Sequence, residues 1–91
     1  MSKLEELRIK IDEIDNKIIS LYEERMNVVL EVIKYKIENN IPILDTSREV
    51  IMLEKNLKKI KNEEFKKYYK SVLDGYLKAS KEMQKDILGN K

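Results

Sequence analysis

One pattern constrains this chain more than any other. From Leu4 onward, apolar side chains recur every three or four residues, through Leu7, Ile11, Ile14, Ile18 and Leu21, then Val28, Val32 and Tyr35. Arg25 stands where the rhythm calls for another apolar residue, and neither Gly nor Pro occurs before Pro42. This spacing keeps one face of a 3.6-residue helix apolar and predicts a single helix from about residue 4 to 38. Asn39-Asn40-Ile41-Pro42 ends it, because Pro lacks a backbone donor and pushes the preceding residue out of helical geometry. About 35 residues at roughly 1.5 Å each give a helix about 50 Å long. A compact chain of this length has a radius of gyration near 12 Å and would be only about 30 Å across. The helix overshoots, yet its apolar seam continues, so something must cover the overhang. The simplest cover is a second copy, and an intertwined helical homodimer is expected.

A second helix is signalled by Asp45-Thr46-Ser47-Arg48-Glu49. Thr46 with Glu49 fits a capping box, and Asp45 is an alternative cap one residue earlier. The seam Val50, Leu53, Leu57, Ile60 carries this helix to about residue 60, and Lys61-Asn62 forms a joint. A third helix follows from about Glu63 to Leu88, with Phe65, Tyr69, Val72, Leu73, Tyr76, Leu77, Met83 and Ile87 inward. Gly89-Asn90 resembles a C-terminal stop, and Gly75 reads as a mark of close helix packing. The fold class is therefore all-α, with three helices per chain in a single domain over residues 1–91.

Composition narrows the chemistry. Among 91 residues there is no Cys and no His, which removes disulfides, thiol nucleophiles, imidazole metal sites and a Ser-His-Asp triad. Any chemistry falls to Arg, Lys, Asp, Glu, Ser, Tyr or amides. Basic residues number 19 against 17 acidic ones, a balance too even to imply nucleic acid. The lysines at 55, 58, 59, 61, 66 and 67 alternate with Glu and Asn and read as a solvated surface. The charged start lacks the apolar core of a signal peptide, and no run approaches the roughly 20 apolar residues of a membrane span. A cytoplasmic protein that contacts neither membrane nor nucleic acid is expected.

The informative positions are polar residues where apolar ones belong. A guanidinium at Arg25 is costly to bury unless it meets an anion. Its stem can also pack while its head reaches water. Lys36 follows 11 residues later, close to three helical turns, so it points the same way about 16 Å along the axis. Arg8 precedes Arg25 by 17 residues, about 25 Å away. It cannot share a small site with Arg25 in one chain, but could enter a partner's site in an antiparallel dimer. On the third helix, Ser80 and Gln84 lie one turn apart among inward apolar residues. Each has a bland reading, Ser80 bonding back to its own helix and Gln84 lying at a rim. Asp45, Arg48 and Glu49 can likewise be simple caps and dipole partners. Together, these cations, a neutral hydrogen-bonding pair and a carboxylate suit one cavity for a small dianion carrying a hydroxyl. The arginine fork matches carboxylates with two parallel hydrogen bonds.

The ordered set Leu4-x-x-Leu-Arg-x-x-Ile-Asp-x-Ile-Asp, Leu21-x-x-Glu-Arg25, Lys36, Pro42, Asp45-x-x-Arg-Glu49 and Ser80-x-x-x-Gln84 closely resembles the all-helical (type II) chorismate mutase family. The resemblance spans almost the whole chain and is only generic over about residues 56 to 70. It implies an intertwined dimer that converts chorismate to prephenate, on the way to phenylalanine and tyrosine, with no metal or cofactor. The reaction is a unimolecular Claisen-type rearrangement needing no proton transfer, which fits a chain without His or Cys. Carried over residue by residue, Arg25 would clamp one substrate carboxylate and Arg8 of the partner chain the other. Lys36 and Gln84 would hydrogen-bond the ether oxygen. Glu49, with the Asp45 region, would bind the ring hydroxyl. Arg48 would order the site and Ser80 would support carboxylate binding.

Two details depart from the pattern of some relatives. Leu44 stands where they carry a basic residue, which lowers the charge at that rim. Gln84 replaces a Glu that must be protonated, so activity nearly flat between about pH 5 and 8 is expected. The length leaves no room for a fused dehydratase, dehydrogenase or synthase domain, so a monofunctional protein is expected. The rival readings are an isochorismate-pyruvate lyase on the same fold and a non-catalytic helical dimer or adaptor. The full set of Lys36, Glu49 and Gln84 favours the mutase. An adaptor has no need for Arg8, Arg25, Lys36, Glu49, Ser80 and Gln84 together.

Overall fold

The computed structural model of one chain describes residues 1–42 and 46–89. It contains α1 (Lys3–Glu38), α2 (Thr46–Leu57) and α3 (Glu63–Gly89), with no strand among the described residues. The fold is all-α, as the periodicity predicts. The molecule measures 55 × 28 × 16 Å, and its long dimension matches the span of about 54 Å that 36 helical residues require.

Both ends of α1 have identifiable causes. Ser2 caps the start, its hydroxyl accepting from the Glu5 N–H at 3.1 Å, which satisfies one of the donors that a helix N-terminus leaves without an intrahelical partner. At the other end, Asn40 adopts a left-handed φ of 56°. The Ile41 N–H then reaches back to the Lys36 carbonyl at 2.9 Å and the Asn40 N–H to that of Ile37 at 3.4 Å. This pair of reversed bonds is a Schellman ending, with Asn in the place most often held by Gly. Chain reversal therefore happens at Asn40, before Pro42 is reached, and it anchors the turn of helix that carries Lys36.

α2 and α3 depart slightly from expectation. α2 begins with Thr46 as its first residue, and the alternative cap Asp45 lies outside the described residues, as does Leu44. α2 ends at Leu57 instead of about residue 60. The Lys59 and Ile60 N–H groups tighten into three-residue turns on Asn56 and Leu57. Asn62 then caps α3, its side-chain oxygen accepting from the Glu64 N–H at 3.0 Å. Gly89 is the last residue of α3 and no glycine has a positive φ, so Gly89 is not a left-handed stop. Asn90 lies outside the described residues. A Cβ at Gly75 would meet nothing within 4 Å, so the close packing expected there is not present within the chain.

α3 packs against α1 and against α2, and the apolar centre is small. Ile33 at 0% exposed and Leu73 at 3% are its buried members. On α1 the side chains that turn inward are Met26, Val29, Leu30, Ile33 and Ile37. They are not the seam read from the rhythm, since Leu4 through Leu21, Val28, Val32 and Tyr35 all remain exposed. α1 carries two apolar stripes; α3 covers one, near the C-terminal end. Phe65 and Val72, expected inward on α3, are exposed as well. No described helix is long and apolar enough to cross a membrane.

Candidate active site

Each helix brings one stripe of side chains to a common cavity of about 160 Å³, open to solvent along one side. From α1 come Arg25, Val29, Val32 and Lys36, spaced four, three and four residues apart, which keeps them in line over three turns. From α3 come Leu77, Ser80, Lys81 and Gln84, again a single stripe. The first two turns of α2 add Arg48, Glu49 and Met52. Val29, Val32, Met52 and Leu77 make its apolar lining, and the other lining residues are polar or charged.

Arg25 is held in two ways. Its Nη1 donates to Ser80 Oγ at 3.1 Å, and its guanidinium lies 5.4 Å from the centroid of the Tyr76 ring. Ser80, only 8% exposed, passes its own proton back to the Tyr76 carbonyl at 3.0 Å. The bland reading of Ser80 as a residue bonding its own helix is thus half of the arrangement. The back-bond points the hydroxyl hydrogen away and leaves an oxygen lone pair for Arg25. Among the described residues no buried side-chain nitrogen or oxygen lacks a partner.

Glu49 sits in the first turn of α2, where the helix dipole favours a carboxylate. Its Oε1 accepts from Lys81 Nζ at 3.0 Å. Lys81 was not singled out from the sequence. The signal that could have found it is its position beside Ser80 and three residues before Gln84, on the same inward stripe.

Of the residues expected to form a site, Arg25, Lys36, Arg48, Glu49, Ser80 and Gln84 converge on this cavity. Arg8 does not: it is exposed on α1 and is not among the cavity's lining residues. Asp45 lies outside the described residues. No group of three or more carboxylates among the described residues is arranged to hold a metal ion. The cavity's charged lining is four cations against one carboxylate. With an apolar floor and a neutral donor at Gln84 beside the Arg25 fork that Ser80 holds, it can bind a small organic dianion and orient a hydroxyl.

The sequence matches the chorismate mutase type II family over residues 7–85. A chorismate mutase of Methanocaldococcus jannaschii is 49% identical over 49 residues, covering 54% of this chain and 50% of that protein. A bifunctional chorismate mutase/prephenate dehydratase of Buchnera aphidicola is 48% identical over 48 residues, 53% of this chain and 12% of that protein. The T-protein of Haemophilus influenzae is 37% identical over 54 residues, 59% of this chain and 14% of that protein. The matched stretch is thus half of the first of these relatives and a small part of the others.

Proposed function

The chain belongs to the type II chorismate mutase family, and from that premise we propose that it rearranges chorismate to prephenate. The observation that carries the reading is the convergence of Arg25, Lys36, Arg48, Glu49, Ser80 and Gln84 from three helices on one cavity. The rearrangement breaks an ether C–O bond as a C–C bond forms within the same molecule, so no proton must be taken up or released. The protein's task is to hold the compact reactive conformer and stabilise negative charge growing on the ether oxygen.

In this reading Arg25, pre-aimed by Ser80 and Tyr76, binds one substrate carboxylate. Lys36 and Gln84 face the ether oxygen from opposite helices, and both are donors. Glu49 accepts from the ring hydroxyl, and Arg48 at the start of α2 orders that end of the cavity. The functional unit is a homodimer in which Arg8 of a second copy supplies the clamp for the other carboxylate. What supports the dimer is the exposed apolar seam from Leu4 to Leu21, together with a cavity that is open on one side.

The test is a chorismate assay with purified protein and no added metal, with the product identified. Prephenate is expected. Failure with chorismate, combined with pyruvate release from isochorismate, would overturn the mutase reading in favour of a lyase.

A further inference from the structure

Lys81 lies outside the set of residues that the family pattern picks out, yet it lines the cavity and pairs with Glu49 at 3.0 Å. The pair bridges α3 and the first turn of α2. Both residues also line a neighbouring groove along α3, with Asp74, Lys78 and Lys85, so the pair stands at the boundary between the two. Glu49 retains 25% exposure at its side chain and Lys81 46%.

We propose that Lys81 is a positioning residue for Glu49, fixing the carboxylate as the hydroxyl acceptor of a dianionic substrate; this rests on the mutase reading. Two physical effects combine. A glutamate side chain has several rotamers, and an ammonium anchored on α3 selects the one in which Oε1 is engaged and Oε2 remains available to accept. An uncompensated carboxylate would also repel a substrate carrying two negative charges. The adjacent ammonium offsets that repulsion without removing the acceptor. Because the hydroxyl takes no part in the bond changes, the contribution is the same in the ground state and the transition state. It therefore belongs to KM and not to kcat.

The experiment is steady-state kinetics on the full chain with chorismate, comparing wild type, Lys81→Met, Lys81→Gln, Lys81→Arg, Glu49→Gln and the double variant Glu49→Gln/Lys81→Met. Circular dichroism confirms folding of each, and Lys81→Gln replaces Lys81→Met should the latter fail to fold. Lys81→Met is expected to raise KM about threefold to fivefold, the size of a partly exposed ion pair, with kcat changed less than about twofold. Lys81→Arg should restore KM, and the rise should shrink as ionic strength increases. In the Glu49→Gln background, Lys81→Met should add almost nothing to KM. An unchanged KM in Lys81→Met overturns the proposal. So does an equal rise in the Glu49→Gln background, which would make Lys81 a direct substrate contact. Wild-type protein that leaves chorismate unchanged overturns the mutase reading itself and takes the positioning role with it. An active wild type whose Lys81→Met variant keeps its KM overturns the positioning role alone.

Discussion

Arg25 and Ser80 meet across the α1–α3 interface, Nη1 donating to Oγ at 3.1 Å, 55 residues apart in sequence. The guanidinium also lies 5.4 Å from the centroid of the Tyr76 ring. Hydroxyl and ring together fix the fork before any ligand arrives, which lowers the ordering cost of binding a carboxylate. Ser80→Ala removes the acceptor, and a hydrogen bond to a charged group contributes about 1.5–3 kcal/mol. Discounted for an only partly buried arginine that water can reach, the expected loss is about 1 kcal/mol, or a KM rise of about fivefold. Tyr76→Phe keeps the ring and should behave like wild type. Tyr76→Leu loses the cation–π contact and should raise KM by a smaller factor. Steady-state kinetics on the three variants checks the order, and a Tyr76→Phe variant as impaired as Tyr76→Leu would remove the ring from this account.

Lys36 tests the transition-state role separately. Its backbone carbonyl accepts the Ile41 N–H in the Schellman ending of α1, an interaction that a side-chain substitution leaves intact. Lys36→Ala should therefore fold normally while losing about 2.7–4 kcal/mol of transition-state stabilisation, about the size of one oxyanion donor, through kcat. Normal turnover in a folded Lys36→Ala variant would exclude the side chain from the chemistry.

The facing donor, Gln84, predicts a pH effect. An amide carries no ionisable proton, so the donor at this position persists at every pH. Gln84→Glu should convert the profile to an acid-dependent one. Above the ordinary glutamate range, about 4.3, the new carboxylate is ionised and accepts where a donor is needed, so kcat should fall as pH rises. Below it the protonated acid donates and activity should return. A Gln84→Glu variant with the same pH–rate profile as wild type would argue against contact between residue 84 and the ether oxygen.

Gly75 is exposed in the middle of α3, with open space where a Cβ would stand. Its helical backbone suits alanine, so Gly75→Ala should stabilise the protein by about 0.5–1 kcal/mol, through helix propensity and a less flexible unfolded chain. Thermal or urea denaturation measures this. A destabilised Gly75→Ala would mean that a second chain approaches this surface closely.

The first helix was legible because uninterrupted periodicity over its 36 residues admits few alternatives, and because Asn39 to Pro42 is an unambiguous break. What the rhythm could not reveal is which of two stripes on α1 meets α3. Leu4 to Leu21 forms the more regular seam, yet Met26, Val29, Leu30, Ile33 and Ile37 do the packing within the chain. Periodicity reports that a face is apolar, never what covers it. The site followed a similar logic: Arg25 and Lys36 could be aligned by counting turns on one helix. The alignment of Ser80 and Gln84 with them depends on how α3 docks. Lys81 escaped notice because a lysine on a Lys-rich helix reads as solvated surface, and its place beside Ser80 gains meaning only when α2 brings Glu49 within 3.0 Å of it.

The same two-stripe helix leads to the last prediction. Arg25 lines the cavity while Arg8, about 25 Å away along α1, does not. A site that needs both must draw them from two chains. Arg8→Ala and Arg25→Ala homodimers should each be nearly inactive, since every site lacks one carboxylate clamp. In a heterodimer of the two, one site lacks both arginines and the other has both. A mixture of the two variants, exchanged to equilibrium, contains about half heterodimers by random pairing. It should recover about a quarter of wild-type activity, from one good site in each. Subunit exchange can be followed with a tagged chain, and activity measured on the same sample. Verified exchange without recovery would reject the shared site, and a monomer in sedimentation at assay concentration would reject the dimer.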